Sequence, residues 1–217
     1  VLIGKSAFSA AALFSGMLDD VRLYDTALSA HQARQLFRQP VLNLTFDHPT
    51  ATSSGTQWAD TSAFGNRGEC ATAQCPQETV GIEGQGLQFD GANRHVSVAE
   101  NSSLDLSEGH FTLALWLKPE AGLTDAAHCG DFEWEGQNCG WWQPEGILGL
   151  KSGTGDAYVS LQRMVVRGGS NAIRFGFAAA DGWAGYYTSP AIGLMDNVWN
   201  HVALSYGGGE VRLYLNG

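Results

Sequence analysis

The chain has 217 residues, and 44% of them are hydrophobic, which predicts a globular fold and excludes disorder. A net charge of −10 excludes nucleic acid as a partner, because phosphates would be repelled. No apolar run approaches the roughly 18 residues of a membrane span.

In chain order, residues 14–37 (FSGMLDDVRLYDTALSAHQARQLF) predict a strand, a tight turn and a short helix. Val21 and Leu23 alternate with Arg22 and Tyr24, the period of a half-buried strand. Asp19 falls in phase with Val21 and Leu23, so it is expected to point at the core, where a carboxylate needs a partner or a metal. Ser29 and Gln32 form a capping box before Ala33, Leu36 and Phe37, and Pro40 ends the helix.

Residues 41–49 then alternate as a strand, with Leu42, Leu44 and Phe46 on one face and Asp47 following. A polar stretch over 49–68 holds the turn residues Asp60, Ser62, Gly65 and Asn66. Residues 84–98 read as two strands about an Asp90–Gly91 turn. The clearest strand is 110–120, with Phe111, Leu113, Leu115 and Leu117 on one face and Thr112, Ala114, Trp116 and Lys118 on the other; Pro119 stops it. Residues 121–144 read as an inserted surface loop rich in tryptophan: Trp134, Trp141 and Trp142. Strands are expected at 146–152, 157–167 and 172–179, an aromatic loop with Trp183, Tyr186 and Tyr187 at 181–190, and a hairpin over 198–217. VRLY occurs at both 21–24 and 211–214, in different flanks, and is read as two strands of one fold. Short strands at this spacing predict an antiparallel sandwich.

The four cysteines allow three pairings. Local bridges, Cys70–Cys75 and Cys129–Cys139, each close a short loop and are the expected ones; four free thiols are the alternative. A zinc site is disfavoured, because neither pair has knuckle spacing. Disulfides imply an oxidising compartment. No signal peptide is visible, and since the chain opens inside a domain motif this says nothing about export.

The 14–37 segment, the WADTSAFGNRG loop and the ordered pieces LNLTFD, GLQFDG, FTLALWLKP, WNHVALSY and VRLYLNG resemble laminin-G-like, concanavalin A-like jelly rolls. The resemblance implies an all-β, two-sheet antiparallel sandwich with one short helix. In that family the 14–37 motif closes the domain, yet here it comes first. Residues 1–38 are therefore expected to be a closing strand and helix lying beside the 211–217 strand, and residues 39–217 a jelly roll lacking its own closing strand. The chain reads as one period of a tandem array, cut out of phase. Residues 1–38 either fold back to complete this chain or complete the preceding unit head to tail. The second is favoured, because the link from Phe37 to Val41 is short.

The resemblance also implies that Asp19, Asp47 and Asp90 meet at one rim of the sandwich around a structural calcium, with Gly91 offering a carbonyl; turn capping and pairing with Arg22 or Arg94 are the alternative. Trp134, Trp141, Trp142, Trp183, Tyr186 and Tyr187 crowd two polar loops and suit glycan binding or an interface. Trp116 and Trp199 are expected to fill the core. Asp131, Glu133 and Glu135 alternate as catalytic carboxylates of a glycosidase would, but in a different order and within an inserted loop. His95, His110 and His201 read as structural histidines. The expected function is a non-catalytic extracellular module for adhesion or assembly in a repetitive surface protein or filament, with neighbouring copies as partners. A carbohydrate-binding module is the alternative and a glycoside hydrolase the distant one.

Overall fold

The structure, a computed structural model, describes residues 1–5, 12–25, 27, 40–106, 110–121, 145–151, 158–166, 170–178, 184–189, 192–207 and 209–217. Its strands are β1 (Leu2–Ile3), β2 (Ala12–Leu13), β3 (Ser15–Tyr24), β4 (Leu42–Leu44), β5 (Thr50–Ala51), β6 (Gly55–Trp58), β7 (Gly68–Ala71), β8 (Gln77–Val80), β9 (Gln85–Asp90), β10 (Val96–Val98), β11 (Phe111–Pro119), β12 (Glu145–Lys151), β13 (Tyr158–Val166), β14 (Ser170–Ala178), β15 (Ala184–Thr188), β16 (Asn200–Gly207) and β17 (Glu210–Leu215). They form two sheets. One has ten strands in the order β15-β14-β13-β12-β1-β10-β7-β6-β5, with β2 paired to β12. The other has seven in the order β17-β16-β11-β3-β9-β8, with β4 paired to β3. All pairings are antiparallel except β2 with β12. Among the described residues the only helical turns are two short 3-10 segments, Thr72–Gln74 and Ser102–Leu104. The helix expected over 29–37 lies outside them.

The two sheets sandwich one apolar core. Leu113, Leu115 and Leu117 of β11 face Leu148, Leu161, Ile173 and Phe175 of the other sheet within a single buried cluster. Burying such side chains stabilises by about 1.5–3 kcal/mol each. Phe111, Phe175 and Tyr206 pack ring against ring, with centroids 5.7 to 6.2 Å apart.

The first strands occupy the middle of both sheets. β1 lies between β10 and β12, and β3 lies between β11 on one side and β9 and β4 on the other. In this chain residues 15–24 take the fold-back position, in the middle of its own seven-stranded sheet. Two strands, β11 and β16, separate β3 from β17, so the segment does not lie beside the 211–217 strand. The two VRLY runs are a central strand and an edge strand of the same sheet.

Two other expectations change. The strand predicted over 41–49 stops at Leu44, because Phe46 and His48 adopt left-handed backbone (φ 61° and 52°) that breaks the pleat. The expected aromatic loop contains a strand, β15, paired to β14 through residues of high strand preference. β9 and β10 stand as expected on either side of the Asp90–Gly91 turn, which carries the chain from one sheet to the other. Around the polar loop, Asp60 accepts from the backbone N–H groups of Asn43, Ser62 and Asn66. Cys70 and Cys75 form a disulfide around the first 3-10 turn. Cys129 and Cys139 lie outside the described residues.

At one end of the core, Arg163 is fully buried. Its guanidinium donates to the Glu120 carbonyl (3.1 Å), the Glu145 carboxylate (3.0 Å), Asp196 Oδ1 (2.6 Å) and Asn171 Oδ1 (3.0 Å). Glu120 and Glu145 flank the 121–144 insertion, so one side chain ties its two ends to the core. Burial, opposed by Arg163, pushes the Glu145 carboxyl up to about 7. Removing the cation strands two carboxylates: Arg163→Ala is expected to cost about 3–5 kcal/mol in urea unfolding. The folded state also keeps a proton on Glu145 that the unfolded chain has already released. Stability therefore falls as pH rises from about 4.5 to about 7, and Glu145→Gln reduces that slope when unfolding is measured across the range.

Candidate functional site

The site begins with an irregularity in β3. The β3–β11 ladder pairs Arg22 with Ala114 and Asp19 with Trp116, so Asp20 and Val21 oppose Leu115 alone. This is a β-bulge, and Asp20 takes the left-handed conformation (φ 50°) that a short polar residue tolerates. The extra residue shifts the phase. Leu18 and Val21, three apart, both face the core, and Asp19 shares the face of its partner Trp116. Period-two reading put Asp19 in phase with Val21 and pointed it at the core; the bulge is why it does not point there.

Asp19 is nevertheless 2% exposed, because the β8–β9 turn covers it. Its Oδ1 accepts from the Asp20 N–H (2.8 Å) and its Oδ2 from the Ile82 N–H (3.0 Å). Burial raises its pKa to about 6, against the pull of backbone N–H bonds from Ile82, Asp20 and Glu83. One pKa unit is about 1.4 kcal/mol, so holding this carboxylate charged at neutral pH costs on the order of 2–3 kcal/mol.

Asp47 meets the same turn from the other side. Its Oδ1 accepts from the Gln85 N–H (2.8 Å). The turn closes with the Gly81 N–H donating to the Gly84 carbonyl (3.1 Å). Both glycines are needed for the approach: a Cβ on Gly81 would collide with Asp19 Oδ2, and one on Gly84 would collide with Asp47 Oδ1. Phe46, His48 and Asp20, which flank the two carboxylates, are three of the five non-glycine residues with positive φ among those described. Such strain persists where surrounding structure enforces it, and it clusters at functional sites. Among the described residues neither Asp19 nor Asp47 forms an ion pair.

Asp90 lies elsewhere. It ends β9, roughly 17 Å along the strand from Gln85. Desolvation opposes ionisation there, but N–H bonds from Ala92, Arg94 and Asn93, and the Arg94 guanidinium at 3.1 Å, hold its carboxyl below the usual range. Asp90 and Gly91 form a capped turn, with Gly91 at φ 67°. The structure therefore brings together two of the three predicted carboxylates, and no third His, Cys, Asp or Glu joins them among the described residues. Sequence reading missed the turn that collects them, and its signal was the Gly-x-x-Gly of residues 81–84.

Trp116 and Trp199 are partly buried and are not among the residues of the core cluster. Trp116 contacts His201, with ring centroids 5.0 Å apart. Burial lowers the His201 pKa, with Asp20 opposing and Arg22 assisting, so the ring is neutral at pH 7. Tyr186 and Tyr187 lie on edge strand β15. Trp134, Trp141, Trp142, Trp183, Asp131, Glu133 and Glu135 fall outside the described residues. His95 caps a turn through the Asn93 carbonyl.

Two facing sheets, predominantly antiparallel, about one apolar core define a β-sandwich. A laminin-G-type family model, that of the concanavalin A-like lectin/glucanases superfamily, matches residues 90–217, and the chain belongs to that superfamily. Comparison with curated proteins finds no match, and neither does comparison with solved structures. Asp19, Asp47 and the turn between β8 and β9 all precede the matched span.

The glycine requirement is testable. Gly84→Ala places a methyl at φ 59° against Asp47, and is expected to cost on the order of 2 kcal/mol by urea unfolding. Gly65→Ala, also at positive φ but with open space around it, should cost less.

Proposed function

We propose that this is a non-catalytic, calcium-stabilised extracellular module for adhesion or assembly, carried in a protein built from repeated units of the same kind. The observation that carries the reading is the convergence of Asp19 and Asp47 on one glycine-flanked turn. Calcium takes six to eight oxygens, from carboxylates, carbonyls and water. Asp19, Asp47 and carbonyls of residues 81–84 would hold it, and its charge would offset the cost of burying ionised Asp19. The Cys70–Cys75 bridge supports an oxidising compartment.

Calcium is expected to raise the melting temperature over that in chelator, by mass action on the native state. Asp19→Asn should abolish the shift, and Asp90→Ala should leave it intact. Equal melting in calcium and chelator would sink the calcium reading.

Carbohydrate binding is a second reading, favoured by the partly exposed ring pair of Trp116 and His201.

A further inference from the structure

Two asparagines stand in the pattern Asn-x-Ser/Thr with no proline at the middle position: Asn43-Leu44-Thr45 and Asn101-Ser102-Ser103. The pattern marks an acceptor for an N-linked glycan, a bulky polar group that only an exposed position can carry. The fold treats the two asparagines differently. Asn43 lies in β4, paired with Arg22 of β3. Its Nδ2 donates to Thr61 Oγ1 at 2.6 Å, its N–H donates to Asp60 Oδ1, and its carbonyl accepts from the Thr61 N–H. Its Oδ1 is buried. A sugar on Nδ2 would push Thr61 aside and open the Asp60 loop. Asn101 instead follows β10, at the start of the second 3-10 turn. Residues 99–102 are all exposed, while Leu104 and Leu106 are buried and anchor the segment behind them. Asn101 Oδ1 accepts from the Ser103 N–H at 3.0 Å and so caps the turn, and Asn101 Nδ2 has no partner among the described residues. Ser103 Oγ is fixed in turn by Asn66 Nδ2 at 2.8 Å.

We propose that Asn101 is a site of N-linked glycosylation and that Asn43 is not. The proposal rests on the extracellular reading above, because the reaction takes place where chains are prepared for export. The donor is an oligosaccharide held through its anomeric carbon on a lipid diphosphate. Asn101 Nδ2 attacks that carbon. The C–N bond forms, the C–O bond to the diphosphate breaks with its electron pair leaving on oxygen, and one amide proton passes to a base of the transferase. The reaction takes the side-chain atom that the fold leaves idle and spares the one it uses. Oδ1 still accepts from the Ser103 N–H afterwards, so the cap on the turn survives. At Asn43 the same reaction would take the nitrogen that holds Thr61.

The test expresses the 217-residue chain behind an added secretory signal sequence in cultured mammalian cells and recovers the folded chain from medium or lysate. Peptide N-glycosidase treatment in heavy-oxygen water then marks each occupied asparagine as labelled aspartate for mass spectrometry. Expected is a glycan at Asn101 and none at Asn43. Asn101→Gln and Ser103→Ala should each abolish the glycosidase-sensitive shift in gel mobility. Ser103→Thr, which keeps the hydroxyl, should retain it, and Asn43→Gln should leave it unchanged. A folded chain with Asn101 unoccupied would overturn the site. A glycan on Asn43 in the folded chain would overturn the exclusion argued from Thr61. Because the added signal delivers the chain to the lumen, neither result touches the extracellular reading. That reading fails separately, if the protein from its natural source carries Cys70 and Cys75 as free thiols.

Discussion

Ten residues, Ser15 to Tyr24, join the two halves of the seven-stranded sheet. β11, β16 and β17 lie on one side of them, and β9, β8 and β4 on the other. A strand so placed must satisfy backbone partners on both edges and still keep Leu18, Val21 and Leu23 in the core. Uninterrupted pleating cannot do this, because Leu18 and Val21 have opposite parity. The bulge at Asp20 restores the phase, and the same half-turn delivers Asp19 to the β8–β9 turn. Core packing and the carboxylate site are two results of one backbone irregularity.

Much of the fold was legible in the sequence. Strands β11 to β14, β16 and β17 were expected where they are found, β11 by the alternation of Phe111, Leu113, Leu115 and Leu117 with Thr112, Ala114, Trp116 and Lys118, and the others as runs of strand length between turn signals. What was not legible has physical causes. A bulge adds one residue without changing composition, so Asp19 read as inward-pointing. Left-handed backbone at Phe46 has no signature, since bulky residues rarely adopt it. The spread of Asp19, Asp47 and Asp90 depended on which end of β9 each one meets, and that follows from register rather than residue type.

The site draws on parts of the chain remote from one another. Asp19, in the middle of β3, and Asp47, just beyond β4, precede the span shared with the superfamily, and they meet through a turn formed by a third segment. On the opposite flank, Arg163 does similar work with charge, gathering Glu120, Glu145 and Asp196 from three elements. In both places a buried ionisable group holds distant segments in register. Apolar contacts alone would leave such segments free to slide.

The central placing of the first strands bears on how the molecule is made. β1 pairs with β10, some 95 residues later, and β3 with β11, about 90 residues later. At synthesis rates of about 5–20 residues per second, Leu18, Val21 and Leu23 wait on the order of 5–20 s before their partners in β11 exist. During that interval the edge of β3 that β11 will cover stands open on the nascent chain, while β4 and β9 can already pair with its other edge, and closing so long a loop is slow for entropic reasons. The Asp-Asp pair at its middle and the kink it imposes make that strand a poor template for pairing with another chain, so the feature that shapes the finished site also guards the unfinished one.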